Sequence, residues 1–194
     1  MNDKLAEILQ GIKKLENQLT LELQKGEEEF FYKVQHKRVR FEREVKAQHR
    51  LLIKRIRQYI KDAAILNILT APVIWSLLFP AVFMDLAFSF YQAVCFPVYG
   101  IPKVDRRDYI VMDRHFLSYL NGLEKLNCAY CGYVNGLIGY VQEIAARTEQ
   151  YWCPIKHARK TRFVHGRYSN FFAFGDGLSY RKNIETVRRK FDDL

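Results

Sequence analysis

Apolar residues recur at three- and four-residue steps near the start of the chain: Leu5, Ile8, Leu9, Ile12, Leu15, Leu19 and Leu23. This spacing lays a narrow apolar stripe along a helix over residues 2–25. Gly26, between Lys25 and the run Glu27, Glu28, Glu29, predicts that one helix ends and another begins. Glycine suits a helix C-terminus and carboxylates suit the positive end of the next dipole. One helix with a mild interruption is the alternative. From Phe30 to Asp62 the helical pattern resumes with Phe31, Val34, Phe41, Val45, Leu52, Ile56 and Tyr59, and lysines and arginines from Lys33 to Lys61 fill the polar positions. Two such helices form a hairpin or an intermolecular coiled coil. Residues 1–62 therefore read as an amphipathic, basic helical arm that recruits a protein partner or self-associates.

The pattern then changes character. Ala63 to Met84 carry no charge over about 22 residues, and after Asp85 the chain stays apolar to Tyr99. A bilayer crossing needs about 20 apolar residues, so the first stretch is long enough and the second is marginal. Prolines at 72, 80, 97 and 102 predict bends. Lys54, Arg55, Arg57 and Lys61 border one side, and Lys103, Arg106 and Arg107 the other. Basic flanks stay cytoplasmic, so the expectation for 63–102 is a membrane hairpin with both ends on the cytoplasmic side and its turn near Phe79–Asp85. A single span and a buried hairpin of a soluble protein are the alternatives. Asp85 is costly at mid-bilayer and is expected to be solvated at the turn.

Beyond Pro102 helical steps return at Phe116, Leu117, Leu120, Leu123 and Leu126, and again over 133–151 despite Gly136 and Gly139. The end holds a turn-rich aromatic segment, NFFAFGDGLSY, and a basic helical stretch, ETVRRKFDDL. No strand alternation and no internal repeat stand out, so the expected class is mainly α. The organisation is a basic helical or coiled-coil arm (1–62), an apolar membrane segment (63–102) and a helical module with a basic tail (103–194).

Charge sharpens this division. The net +10 splits into about +5, −1 and +6 over the three regions. Positive charge on both flanks of an apolar block points to anionic lipid headgroups, which makes membrane lipids the first partner and disfavours nucleic acid. The N-terminus is charged and amphipathic and does not read as a secretory signal.

Chemistry concentrates in CAYCGYVNGLIGYVQEIAARTEQYWCPIKHARK, residues 128–160. Cys128 and Cys131, at C-x-x-C spacing, reach one ion from a tight turn or one helical face. Cys153 precedes Pro154, a residue suited to open a helix, which sets His157 one turn later on the same face. Together Cys128, Cys131, Cys153 and His157 make a Cys₃His set known for tetrahedral structural zinc, with iron as the alternative metal. His165 reads as a substitute for His157 as ligand, or as a group that hydrogen-bonds a ligand from behind. CAYCGY is similar to the knuckle of rubredoxins and zinc ribbons over six residues, and departs from both where CPIKH replaces their second knuckle. A dithiol redox centre is another reading, helped if a helix starts just after Cys131 and lowers its pKa; unliganded thiols are the plain one. Covalent c-type haem is disfavoured because Gly132 stands where C-x-x-C-H needs histidine. Lys156, Arg159, Lys160 and Arg162, with Tyr151, Trp152, Phe163 and Tyr168 interleaved, are candidate contacts for an anionic group. No catalytic triad or phosphate loop is present. The function expected from sequence is a membrane-associated scaffold or adaptor stabilised by zinc; the alternative is a membrane oxidoreductase using the dithiol or an iron centre, with a quinone or a protein as electron partner.

Overall fold

Asn2–Glu29 contains no proline, and the computed structural model carries one helix, α1, through all 28 residues. The structure describes residues 2–29, 32–35, 38–162 and 164–192. Phe30, Phe31, Lys37 and Phe163 lie outside the described residues, as do the side chains of Leu5, Ile8, Leu9, Ile12 and Val34. The break expected at Gly26 does not occur. A single interior glycine costs only about 1 kcal/mol, which good helix formers around it override. Leu15, Leu19 and Leu23 are exposed along α1.

The chain is mainly helical, as expected, but residues 32–35 and 38–41 are not. β1 (Tyr32–Gln35) and β2 (Arg38–Phe41) pair antiparallel with Tyr32 opposite Phe41 and Val34 opposite Val39. The sequence pattern predicts no strand, and these two form nonetheless. YKVQ and RVRF alternate apolar and polar residues with period two, and segments of four residues are too short to register in a helical window. There follow α2 (Arg43–Leu51), α3 (Ile56–Asp62), α4 (Ile65–Ser76), α5 (Leu78–Tyr99), the single turn α6 (Arg106–Tyr109), α7 (Gly122–Trp152) and α8 (Gly177–Val187). The helix expected through Phe116 and Leu117 is reduced to a short 3₁₀ turn, Arg114–Phe116. Asn121 starts α7 instead: its Oδ1 accepts from the amides of Leu123 and Glu124 while the Glu124 carboxylate accepts from the Asn121 N–H, a reciprocal cap.

Two compact units emerge, Met1–Ile60 with Asp113–Leu126, and Lys61–Met112 with Asn127–Leu194. In the first, His49 sits edge-on between Phe41 and Tyr119, at 5.5 and 5.2 Å. Among the described residues no apolar side chain of this unit is fully buried. The second unit holds the core, built from Ala81 and Phe96 of α5, Ile101, Val104 and Ile110 of the following segment, Leu137, Tyr140 and Ile144 of α7, and Phe191.

The expected hairpin turn at Phe79–Asp85 lies inside α5, so the chain does not fold back there. Leu77, between α4 and α5, keeps right-handed helical angles (φ −66°, ψ −12°). The proline at 80 removes a bond and presses its ring toward the carbonyl of Ser76, which interrupts the helix without reversing it. Ile65–Tyr99 is thus one apolar helical stretch, long and apolar enough to cross a membrane. It ends at Gly100, whose φ of +68° and the Ile101 N–H to Phe96 carbonyl bond make a left-handed cap that most residues resist. Residues 101–112 then return along α5 and cross α7 at its glycines. A Cβ on Gly136 would lie 2.5 Å from the Tyr109 carbonyl oxygen and 2.8 Å from the Ile110 Cα; one on Gly132 would lie 3.2 Å from the Val111 oxygen. The glycines that weaken the helical pattern of α7 are the groove in which this segment lies.

Candidate functional site

The expected metal ligands do not converge. Cys128 and Cys131 fall inside α7, a continuous helix from Gly122 to Trp152, so no knuckle turn forms at CAYCG. Cys153 follows the end of the same helix, its N–H still bonded to the Glu149 carbonyl. At 1.5 Å per residue, Cys131 and Cys153 stand about 33 Å apart along the axis, whereas ligands of one tetrahedral zinc lie within about 4 Å of each other. The fold therefore does not bring Cys128 and Cys131 together with Cys153 and His157. The helix expected to open at Pro154 is also absent. The residue before a proline is pushed out of the helical region, so Pro154 ends α7. Ile155 then pairs with Phe172, with Phe172 N–H donating to the Pro154 carbonyl and Lys156 N–H to the Phe172 carbonyl, each at 2.8 Å. Because α7 begins at Gly122, no helix starts just after Cys131 and neither thiol sits at a helix N-terminus.

His157 and His165 line one cavity of about 60 Å³, together with Glu149, Thr161, Val164 and Tyr168. His165 Nε2 lies 3.0 Å from a Glu149 oxygen, and the His157 N–H donates to the Tyr168 hydroxyl at 2.7 Å. Among the described residues no three His, Cys, Asp or Glu side chains form a group suited to a metal ion. Arg159, Lys160 and Arg162 are exposed on the loop between α7 and the 3₁₀ turn Gly166–Asn170, with Lys156 half-buried.

The most developed polar constellation is elsewhere, in the seam between α5 and α7. Asp85, Ser89 and Gln92 stand four and three residues apart on the face of α5 that also carries Ala81 and Phe96. Asp85 is buried instead of solvated. Arg106 grips it with two bonds, Nε at 3.2 Å and a terminal nitrogen at 2.7 Å, and the Tyr133 hydroxyl donates to it at 2.9 Å. Ser89 links Asp85 to Tyr140, each at 3.3 Å, and Tyr140 also bonds Gln92. The Gln92 amide then accepts from the Val104 N–H at 3.0 Å and donates to the Val104 carbonyl at 3.4 Å, pairing with the return segment as a strand would.

Two ionisable partners are held in the forms this seam needs. The bond to Asp85 holds the Arg106 guanidinium further above its ordinary range, so it stays charged. Burial first, and then the bond to Asp85, raise the Tyr133 phenol, so it stays a donor. The seam neutralises one carboxylate, satisfies the polar atoms on one face of an apolar helix, and fixes α5, α7 and residues 104–106 in one register. Its signal in sequence was the spacing of Asp85, Ser89 and Gln92 on a helix otherwise apolar.

A second set joins the C-terminal segment to α7. Glu143 accepts from Arg147 at 2.8 Å and from Arg167 at 3.2 Å, and both arginines are buried. Arg167 also donates to Gln150, whose amide donates to the Val187 and Lys190 carbonyls. The remaining Arg147 contact, to the Pro102 carbonyl at 2.7 Å, ties in the return segment. Comparison with protein-family models, curated proteins and solved structures found no match to this chain.

Proposed function

We propose that the protein is a membrane-associated scaffold that lies in one face of a bilayer, with α4 and the outer face of α5 embedded and its folded parts on the cytoplasmic side. The observation that carries this is the exposed apolar stripe along α4 and α5. Ile65, Leu66, Leu69, Val73, Phe79, Phe83, Leu86, Phe90, Val94 and Val98 are all exposed, and α4 has no buried residue. Such a surface is expensive in water and natural in lipid.

Geometry favours embedding over crossing. Residues 103–108 run beside α5 at the level of Asp85 and Gln92, and Lys103, Asp105, Arg107 and Asp108 are exposed there. A span along the whole of α5 would carry these charges into hydrocarbon, at several kcal/mol each. An in-plane helix keeps them in water and keeps both termini on one side. The scaffold role rests on the first unit, whose exposed leucines on α1 and basic surface suit a protein partner or a second copy. A structural zinc held within one chain has no part in this reading.

The test is carbonate extraction and vesicle flotation of the full chain beside a Leu69→Glu, Val73→Glu variant. Both positions are exposed, so the fold tolerates the change. The wild type is expected to float with vesicles and resist extraction, and the variant to be released with its helical circular dichroism outside α4 intact. A wild-type chain that stays soluble without vesicles would overturn the proposal.

A further inference from the structure

Within the first unit, a cavity of about 470 Å³ opens between the turn after α2 and the start of α7. Ile53, Ile56 and Leu120 form its apolar walls, and Lys54, Arg55 and Arg57 supply its charge. Its wall is held in place by Asn121, whose Nδ2 donates to the Lys54 carbonyl at 3.2 Å while its Oδ1 caps α7. Among the described residues no carboxylate lines the cavity, and Arg55 and Arg57 are in no ion pair. Three cations above aliphatic walls are complementary to an anionic head joined to a hydrocarbon chain.

We infer that this cavity binds the headgroup of an anionic phospholipid, with Arg55 and Arg57 on the phosphate and Ile53, Ile56 and Leu120 against the first methylenes of the acyl chains. The inference rests on the membrane-embedded reading and names the lipid class that reading leaves open. Nucleic acid fits less well, because no aromatic ring lines the cavity to stack on a base. The sequence also places the cavity's basic residues just ahead of the uncharged stretch that begins at Ala63.

The experiment measures binding to the full chain in mixed detergent micelles, with phosphatidylglycerol and phosphatidylcholine of identical acyl chains as probes. Glycerol 3-phosphate and a single-stranded oligonucleotide serve as competitors. The wild type is expected to prefer phosphatidylglycerol by about tenfold. Arg55→Gln with Arg57→Gln removes the preference, while Arg159→Gln with Lys160→Gln, an equal charge change elsewhere, preserves it. Leu120→Asn weakens phosphatidylglycerol without changing glycerol 3-phosphate binding. Equal binding of the two lipids, equal loss in the two double variants, glycerol 3-phosphate as strong as the lipid, or displacement by the oligonucleotide would each overturn the assignment. Micelle binding does not require α4, so the Leu69→Glu, Val73→Glu chain separates the two ideas. It keeps the headgroup preference if the cavity is right, whether or not the wild type embeds in bilayers.

Discussion

Gly136 shows how much one side-chain atom decides. The Tyr109 carbonyl and the Ile110 Cα occupy the space a methyl group would need, and both belong to backbone that cannot swing aside. Gly136→Ala is therefore expected to destabilise the second unit by about 1–3 kcal/mol, the range for overpacking a filled interior. Gly132→Ala meets a single oxygen at 3.2 Å and costs less. Chemical unfolding of the two variants in detergent, compared at equal slope, measures the difference; equal midpoints would mean that residues 109–111 do not lie in the glycine groove. Asp85 carries the same lesson for polar groups. Its side chain is 12% exposed and that of Arg106 45%, so the carboxylate has lost most of its water and depends on Arg106, Tyr133 and Ser89 for its hydrogen bonds. From composition alone a single acid in an apolar run reads as a turn marker; four-residue spacing to Ser89 is the cue that it shares a face.

Among the elements, α8 offers a pH dependence with a definite sign. The expected basic helix at ETVRRKFDDL instead starts at Gly177 and ends at Val187, because Asp176 accepts from the Ser179 N–H at 3.0 Å and sets the start. The Ser179 hydroxyl first, and then its N–H, hold the Asp176 carboxyl below its ordinary value of 3.8. A depressed folded-state value means that the cap's contribution is fully present above the unfolded value and is lost as pH falls through the folded one. Amide signals of the first turn of α8 are expected to hold steady from neutral pH to about pH 4 and to shift toward a frayed helix below it. Asp176→Asn should remove that acid-dependent step, and a step that persists in the variant would assign it to another group. Periodicity located α1, the apolar stretch and the body of α7 well. It missed the antiparallel strand pair, whose strands are short, and it broke α7 at CAYCG, where turn-type spacing coincides with an i, i+3 helical pair.

For the whole molecule, the distances along α7 make two outcomes specific. Since Cys131 and Cys153 stand about 33 Å apart, strong chelators are expected to leave the unfolding transition of the full chain unchanged, and Cys153→Ser to shift stability by less than about 0.5 kcal/mol. A transition that moves with chelator, in a concentration-dependent way, would show ligands supplied by two chains. Embedding in one leaflet predicts that every exposed polar site faces the same aqueous phase. In a cysteine-free background, a cysteine restored at 153 and one placed at exposed Arg107 should both react with a membrane-impermeant maleimide from the same side of sealed vesicles. Reaction from opposite sides would favour a crossing helix.

By itself the sequence determined what depends on neighbours along the chain. The helical stripe of α1, the uncharged stretch from Ala63 to Met84 and the basic flanks are local properties, set by side-chain period and composition. Tertiary structure alone decided what depends on residues far apart in the chain. Arg106 reaches Asp85 across 21 positions and Tyr133 across 48, the return segment finds the glycine groove, and α7 carries two thiol positions apart that residue type had grouped together. The physical reason is that ligand spacing in a sequence is neutral about backbone path. The same residues converge across a turn and diverge along a helix, and only the hydrogen bonds that keep α7 one continuous helix make that choice.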